Sequence, residues 1–231
     1  MSTYYVYEGL DFAGKSTLAN EHAKRIKAKQ VQEPFTGSAA FKELKAKLVS
    51  NTLTKDEEIQ GYATARLEAF KQVIHPFLSH SRDVISDRNV VSSMVYQSDE
   101  HVSMMEVLEI NRKLLQTYGY NINPDIIFFI DIEHETFLKR FHAVEASGRP
   151  VDAKDRMFLD KQVFEDYRAK YKKSLKYLEE TCDTVVHILS EDQHNVETIL
   201  KLQKTSKCAI TKKNNSKTDM QRQASAARYF A

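Results

Sequence analysis

The ten residues from Glu8 to Thr17 have the composition and spacing of a phosphate-binding loop. Gly9, Gly14, Lys15 and Ser16 satisfy the pattern G-x-x-x-x-G-K-[ST] between an apolar run and a helix-like segment. Glycines let successive backbone N–H groups turn inward around a phosphate, while the lysine reaches the β- and γ-phosphates and the hydroxyl ligates Mg²⁺. The residues predicted to surround ATP here are Gly9, Leu10, Asp11, Phe12, Ala13, Gly14, Lys15, Ser16 and Thr17.

A second segment whose residues could take part in catalysis is the apolar run that ends in Asp87 and Arg88. A carboxylate at the end of a strand is a typical magnesium partner, so Ser16 and Asp87 are the predicted metal ligands. A hydrolysing ATPase often has a water-orienting group next, whereas this chain has a guanidinium. Arg88 therefore indicates a second anion beside the triphosphate, and two facing phosphates favour phosphoryl transfer over hydrolysis.

Five short apolar runs, separated by helical patterns, are the elements that must position these residues. The predicted strands are Tyr4–Glu8, Lys29–Glu33, Asp83–Asp87, Asp125–Asp131 and Thr184–Leu189. Such alternation predicts a mostly parallel sheet with helices on both faces and ligands at the carboxyl ends of the strands. The acidic residues expected to converge on that edge are Glu8, Glu33, Asp87 and Asp131.

The sequence also predicts where two helices begin and where one of them ends. Thr54 to Glu57 and Ser103 to Glu106 have the spacing of a capping box, in which two side chains satisfy backbone N–H groups reciprocally. Gly119 is a predicted C-terminal stop for the second of these helices.

Composition places the chain among ordinary globular proteins. Its 231 residues are 42% hydrophobic and 29% charged, which fits one domain over residues 1–203. The chain has no apolar run near the ~20 residues that span a bilayer and no signal-peptide pattern at its start. Its two cysteines are far apart, so we predict a cytoplasmic location without membrane contact.

The last 28 residues differ from the rest in charge. From Lys204 to Ala231 there are seven Lys or Arg against the single acid Asp219, whereas the preceding residues hold 27 basic and 31 acidic side chains. The segment is polar and lacks apolar periodicity, so residues 204–231 are predicted to be a disordered tail. A nucleic-acid contact or a docking segment is an alternative that nothing in the sequence supports.

These motifs, in their order along the chain, resemble the thymidylate kinase family of P-loop nucleoside monophosphate kinases. The resemblance covers about residues 4–200. It is carried by EGLDFAGKST, Gln32-Glu33-Pro34, Tyr62-Ala63-Thr64-Ala65-Arg66, the segment from Asp87-Arg88-Asn89 to Gln97, Pro124-Asp125, and the basic region from Arg140 to Arg156.

The resemblance implies an activity and an architecture. The activity is transfer of the γ-phosphoryl group of ATP to a pyrimidine deoxynucleoside monophosphate, with dTMP to dTDP in first place and dUMP or a modified dUMP as alternatives. The architecture is a three-layer α/β/α P-loop fold with a five-stranded, mostly parallel sheet and an arginine-bearing lid. Mg²⁺ is the implied cofactor and a homodimer the implied assembly.

The resemblance also implies a role for individual residues. Asp11 helps to order the acceptor sugar and the metal, Arg88 holds the acceptor's 5′-phosphate, and Tyr96 packs against the sugar. Tyr62 stacks on the pyrimidine and Arg66 reaches its edge, which their i, i+4 spacing on a helix permits. The predicted acceptor residues are Asp11, Glu33, Phe35, Tyr62, Arg66, Arg88, Ser93, Tyr96 and Gln97.

Several of these side chains have structural alternatives. The alternative for Tyr62 is an ordinary core aromatic, and the alternative for Arg66 is a surface salt bridge to Glu68 or a neighbour. Ser93 and Gln97 share a helical face, but each is as consistent with a structural role as with base recognition. Phe35 either packs against the acceptor base or fills the core.

A lid is predicted at about residues 146–157. Phe12 stands where one branch of the family has a P-loop arginine, so the resemblance places the missing cation in the lid, with Lys154 as one candidate. A solvated basic loop is the alternative. The predicted catalytic residues are Asp11, Lys15, Arg88, Arg149 and Arg156, and Arg140 is predicted to bind ATP.

One departure and two rival functions remain open. Gln32 occupies a position where bacterial relatives usually have arginine, so an acceptor-phosphate contact is either absent or supplied elsewhere. The first rival is a deoxynucleoside kinase with Glu33 as the base on a 5′-hydroxyl. The second is a catalytically idle nucleotide-binding subunit whose basic tail docks a partner.

Overall fold

The structure, a computed structural model, describes residues 2–50 and 53–210. Its strands form one sheet in the order β2-β3-β1-β4-β5, and every neighbouring pair is parallel. The strands are β1 (Tyr4–Glu8), β2 (Lys29–Gln32), β3 (Val84–Asp87), β4 (Ile126–Ile130) and β5 (Val185–Leu189). Each predicted strand is thereby confirmed to within one residue at either end.

Helices connect these strands and cover both faces of the sheet. They are α1 (Lys15–Ile26), α2 (Ala39–Ser50), α3 (Lys55–Ala69), α4 (His75–Ser79), α5 (Val90–Gln97), α6 (Met104–Gln116), α7 (His134–Ala146), α8 (Ala153–Arg156), α9 (Lys161–Thr181) and α10 (196–210). A π-helical turn over Phe70–Ile74 joins α3 to α4. Within the described ranges, no helix combines the length and apolar character needed to cross a bilayer.

The predicted helix boundaries follow from local hydrogen bonds. Thr54 and Ser103 cap α3 and α6 in reciprocal capping boxes with Glu57 and Glu106. After α6, the backbone N–H of Gly119 donates to the Gln116 carbonyl at 2.9 Å. Its φ of 75° lies in the left-handed region that glycine adopts without strain.

The centre of the sheet is buried on both faces. All five residues of β1 and all five of β4 are buried, as expected for parallel strands covered by helices. The register pairs Tyr7 with Asp87 and Glu8 with Phe129, so the strands end at similar heights. The loops that follow them therefore open along one edge, where the predicted site residues are concentrated.

The C-terminal helix corrects the predicted start of the tail. Helix α10 continues to residue 210, seven residues past the expected boundary, with Gln203 and Ser206 buried. Gln203 Oε1 accepts a hydrogen bond from His22 Nε2 at 2.9 Å, and Gln203 Nε2 donates to the Tyr5 hydroxyl at 2.7 Å. Past residue 203 the helix is held mainly by polar contacts, with Ile210 as the apolar residue packed against the core, which explains why hydrophobic periodicity missed this extension. The predicted disorder of residues 211–231 lies outside the described residues.

Candidate active site

In the phosphate-binding loop between β1 and α1, the glycines leave the backbone N–H groups accessible to an anion. Gly9 has φ 147°, and a Cβ there would lie 2.7 Å from the Ile130 backbone oxygen, so any side chain would clash. Gly14 has φ 94° and leads directly into α1. The first N–H groups of that helix have no intrahelical partner and are therefore available to an anion.

Lys15 lies folded into this loop. Its side chain is 6% exposed, and Nζ donates to the Leu10 carbonyl at 2.7 Å and lies 3.9 Å from Asp11 Oδ1. Burial and the nearby charge of Arg88 lower the pKa of Lys15 to about 8, against the opposing effect of Asp11 and other carboxylates. The ammonium group is thus poorly solvated without an anion, and a phosphate would supply the charge that it lacks.

Ser16 and Asp87 meet at the end of β3 next to the loop. Ser16 Oγ donates to Asp87 Oδ2 at 2.5 Å. The other carboxylate oxygen, Asp87 Oδ1, is buried without a hydrogen-bond partner among the described residues. A hydroxyl and a carboxylate with a free oxygen are the ligand types that Mg²⁺ takes, so these two residues fit the ion.

The loop is also fastened to α7, the helix that leads into the lid. Arg140 Nη1 donates to the backbone oxygens of Phe12 and Ala13 at 2.9 and 2.8 Å. Phe12 itself has φ 63°, and its ring meets the edges of Phe137 and Phe141 at centroid distances of 5.6 and 5.7 Å. Aromatic packing thus holds a non-glycine residue in a left-handed conformation.

A cleft of about 270 Å³ opens beside the loop, and it brings together eight of the nine residues predicted to bind the acceptor. Helices α3, α5 and α8 and the segment after β2 supply its walls. Its lining residues are Asp11, Glu33, Pro34, Glu58, Tyr62, Arg66, Arg88, Asn89, Ser92, Ser93, Tyr96, Gln97, Asp152, Lys154, Asp155 and Phe158.

Arg88 joins the cleft to the phosphate-binding loop. Its guanidinium forms an ion pair with Asp11 and donates to Ser92 Oγ at 2.9 Å and to the Tyr171 hydroxyl at 3.1 Å. Its φ of 70° is unusual for a non-glycine residue, and such backbone strain concentrates at functional sites. Although burial alone would raise the pKa of Asp11, the charges of Arg88 and Lys15 lower it overall.

Arg66 is held by three side chains from three different elements. Nε donates to Glu33 Oε2 at 2.7 Å, Nη1 donates to Asn111 Oδ1, and Nη2 donates to Ser93 Oγ at 3.0 Å. Arg66 is 3% exposed and pairs with Glu33, so the alternative of a surface ion pair with Glu68 is wrong. Burial raises the pKa of Glu33, while the charge of Arg66 opposes that rise.

Polar atoms without partners face the same cleft. Glu33 Oε1, Asn89 Nδ2 and both side-chain amide atoms of Gln97 are buried and make no hydrogen bond within the described residues. Gln97 is 2% exposed. Since an unsatisfied buried polar group costs about 1–3 kcal/mol, their concentration at one cleft indicates a polar ligand.

Aromatic rings form the remaining walls. Tyr62 lies on the same face of α3 as Arg66, and both line the cleft, as their spacing predicted. Tyr96 packs edge-on against Phe158 at 6.4 Å, and its hydroxyl lies 3.5 Å from Asp11 Oδ2. A flat heterocycle fits between aromatic faces with its polar edge toward Arg66 and Gln97.

Comparisons with known proteins agree with this geometry. The family model described as thymidylate kinase matches residues 7–199. The chain belongs to the thymidylate kinase family. A probable thymidylate kinase of Methanocaldococcus jannaschii is 32% identical to this chain over 59% of this chain and 68% of that protein. The thymidylate kinase of Pelodictyon phaeoclathratiforme is 30% identical over 70% of this chain and 76% of that protein. The crystal structure of the Ehrlichia chaffeensis thymidylate kinase has the same fold, with a TM-score of 0.61 at 20% identity over 87% of this chain and 98% of that one.

Three residues predicted from the thymidylate kinase resemblance lie outside the cleft. Phe35 packs over Gly37, where a Cβ would lie 2.7 Å from its ring, so it contributes to the core instead of the cleft wall. Arg156 is turned away because Nη1 forms a 2.9 Å ion pair with Glu145 on α7. Arg149 is exposed, and its Nε donates to Ser147 Oγ at 3.3 Å.

Other residues in or directly behind the cleft wall were not predicted from the thymidylate kinase pattern. Asn111 and Tyr171 contact the two arginines from α6 and α9, with no motif around either of them. Asp155 lies in the lid, where burial and the charges of Asp11 and Asp152 raise its pKa to about 6. Conversely, Asp131 does not join the site, because Arg168 binds both of its oxygens at 2.6 and 3.0 Å.

Glu8 organises the base of the site from beneath. Its fully buried carboxylate accepts hydrogen bonds from the backbone N–H groups of Asn89 and Ser92 at 2.8 and 3.2 Å and from Ser92 Oγ at 2.7 Å. It thereby satisfies N–H groups at the start of α5. Burial raises the pKa of Glu8 from 4.5 to about 7, although the charge of Arg88 and these hydrogen bonds oppose the shift.

A pH-dependent stability difference follows for Glu8→Gln. Between pH 4.5 and about 7 the folded protein holds a proton on Glu8 that the unfolded chain has released, so the stability supplied by this group falls as pH rises. Glutamine does not titrate, so the variant is expected to gain about 3 kcal/mol relative to the parent across this window. Urea unfolding of both proteins at pH 5, 6, 7 and 8 measures the difference, and a constant value would contradict the assignment.

Proposed function

We propose that the protein transfers the γ-phosphoryl group of ATP to a pyrimidine deoxynucleoside monophosphate, with dTMP to dTDP as the principal reaction. One observation supports this most strongly. A cleft lined by eight predicted acceptor residues meets the phosphate-binding loop at the Asp11–Arg88 ion pair. Two nucleotides placed in loop and cleft would therefore meet end to end at their phosphates.

In this reaction the protein has to position the two nucleotides and supply positive charge to their phosphates. The attacking atom is an oxygen of an ionised phosphate, so no general base is required. Lys15 lies where it can neutralise charge on the β- and γ-phosphates, and Arg88 lies where it can hold the acceptor's phosphate in line. To do so, Arg88 must exchange part of its contact with Asp11 for a phosphate oxygen.

Mg²⁺ belongs to this proposal through Ser16 and Asp87. When bound, the ion supplies positive charge to the β- and γ-phosphate oxygens. The short contact between Ser16 Oγ and Asp87 Oδ2 keeps both oxygen ligands close to the start of α1. The free Asp87 Oδ1 supports the assignment, because a buried carboxylate oxygen is otherwise left unsatisfied.

The cleft also suits a pyrimidine base on a deoxyribose. Tyr62 supplies a stacking face, while Arg66 supplies only donors and Gln97 supplies both donors and acceptors. Tyr96 stands near Asp11 at the height expected for the sugar, where its ring would disfavour a 2′-hydroxyl. One methyl group is worth only about 1–3 kcal/mol in such a pocket, so dUMP is expected to be a weaker acceptor.

The lid closes this arrangement and excludes water from the transferring group. We propose that Arg149 and Arg156 reach the triphosphate after Arg156 leaves Glu145. Lys154 already lines the acceptor cleft and has no ion-pair or hydrogen-bond partner in the described part of the chain. We therefore assign Lys154 to the acceptor phosphate, where Gln32 leaves the usual arginine missing.

Lys154→Ala is expected to raise KM for dTMP about tenfold and to leave KM for ATP unchanged, because a charge-assisted contact to phosphate is worth about 1.5–3 kcal/mol. Steady-state assays with each substrate varied in turn separate the two constants. Lys173→Ala, an exposed lysine on α9, serves as the matched control. An unaltered KM for dTMP in Lys154→Ala would remove this residue from the acceptor site.

A coupled ADP-release assay tests the function itself. Rapid turnover with dTMP, slower turnover with dUMP and none with thymidine is the expected result. Turnover with thymidine would favour the deoxynucleoside kinase, with Glu33 as base, and silence with retained ATP binding would favour the idle subunit. The comparisons favour neither rival, since the matching family model and the relatives reported above are thymidylate kinases.

The remaining expectations stay predictions. These are the homodimer implied by the family, the cytoplasmic location, the single domain and any contact of the basic tail with nucleic acid. Sedimentation of the purified full-length protein measures its oligomeric state directly.

A further inference from the structure

The guanidinium of Arg66 is held in one orientation by protein side chains. Arginine has five N–H donors, and three of them here point at Glu33, Asn111 and Ser93. The other two have no partner among the described residues and belong to a side chain that lines the cleft. Which way those two N–H groups point decides what edge of a base they can bind.

Asn111 makes the contact that the known motifs do not explain. It lies on α6, is fully buried, and does not line the cleft. Its Oδ1 accepts from Arg66 Nη1, while its Nδ2 donates to the Val107 carbonyl at 2.8 Å. Because arginine cannot accept a hydrogen bond and a carbonyl cannot donate one, both ends of the amide are fixed in one orientation.

The ion pair with Glu33 alone would leave Arg66 less constrained. That pair uses Nε, so the guanidinium could swing about this single contact at 2.7 Å. Asn111 and Ser93 hold the two terminal nitrogens and thereby fix its plane. With Arg66 only 3% exposed, water has little access to replace a lost partner.

We propose that Asn111 is a positioning residue that sets base selectivity by fixing the plane of Arg66. The inference rests on the proposed function, because selectivity is defined among pyrimidine monophosphates. A donor-only group held in one direction binds a ring carbonyl and opposes an amino group at the same place. Loss of the Asn111 oxygen would let Arg66 reorient and would weaken this discrimination.

The test compares Asn111→Leu, which removes the accepting oxygen at similar size, with Asn111→Asp, which keeps it. In the leucine variant KM for dTMP is expected to rise about tenfold, with kcat and KM for ATP within about twofold of the parent. The preference for dTMP over dCMP in kcat/KM is expected to fall about tenfold. Asn111→Asp keeps the oxygen that accepts from Arg66 and loses the donor to the Val107 carbonyl, so it is expected to retain the preference for dTMP although the folded state loses stability. Asn20→Leu, at an exposed position on α1, controls for the substitution itself.

Two results would overturn the proposal. One is an unchanged preference for dTMP over dCMP in Asn111→Leu. The other is a fall in kcat together with equal rises in KM for dTMP and KM for ATP, which a general disturbance of the fold would produce. Should the leucine variant fail to fold, Asn111→Ala provides the same comparison.

A readout without catalysis separates this proposal from the proposed function. In the free protein, the Arg66 Nη1–H resonance, assigned through Arg66→Lys, is expected to be protected from solvent exchange in the parent and at least tenfold less so in Asn111→Leu, because Asn111 accepts from that nitrogen. Loss of protection in a protein that turns over no nucleotide would refute the function and leave the positioning role supported. Protection equal in both proteins would refute the positioning role whatever the activity.

Discussion

Replacing Lys15 with alanine is expected to lower kcat by about 10²–10³ without unfolding the protein, because one preorganised group that meets developing charge is typically worth that much. The ammonium is nearly buried and faces the interior of the phosphate-binding loop. Stopped-flow or coupled assays at saturating ATP and dTMP measure the loss.

The thermal stability of Lys15→Ala is expected to be equal to or higher than that of the parent, although its kcat falls. Lys15 is desolvated and lies near Arg88, which together lower its pKa to about 8, so removing its charge relieves a cost in the nucleotide-free protein. Lys24→Ala, an exposed lysine on the same helix, is the control for helix propensity. A Lys15→Ala protein that retains more than about a tenth of the parent kcat would be incompatible with the assigned role.

Arg88→Ala is expected to reduce kcat/KM for dTMP by about 10³ or more. The substitution removes the phosphate-binding cation and also leaves the Asp11 carboxylate, which faces the cleft, without its ion-pair partner. The uncompensated Asp11 would then repel the incoming phosphate.

A double substitution separates these two effects. Adding Asp11→Asn to Arg88→Ala should recover part of the dTMP affinity, measured by calorimetry without ATP, because the repelling charge is gone. The matched control is Arg82→Ala, because Arg82 is an exposed arginine just before the start of β3, at the opposite end of the strand from Arg88. Unchanged dTMP binding in Arg88→Ala would mean that the acceptor phosphate lies elsewhere.

The predictable part of this molecule is the part that local chemistry specifies. The loop from Gly9 to Ser16 needs glycines at defined positions, and the capping boxes of α3 and α6 are four-residue patterns. The shared face of Tyr62 and Arg66 follows from helical spacing alone. Parallel strands then bring their carboxyl ends to one edge, which is how Asp11 and Arg88, 77 positions apart, meet.

The unpredictable part depends on contacts between distant segments. Asn111 is a single amide in an amphipathic helix, and its partner lies 45 residues away. Arg156 was expected over the triphosphate, yet it forms an ion pair with Glu145 on α7. In both cases the residue type is ordinary, and only the fold gives it a partner.

The polar contacts of α10 bear on where this protein ends as a folding unit. The sequence shared with the family stops at residue 199, but Gln203 beyond it bridges His22 and Tyr5, and His187 meets Ser206 at 2.7 Å. A shortened version cut at the family boundary would strip partners from side chains in the middle of the molecule, beneath the very helix that presents its N–H groups to phosphate. Expression for crystallisation or assay should therefore retain the chain at least through residue 210.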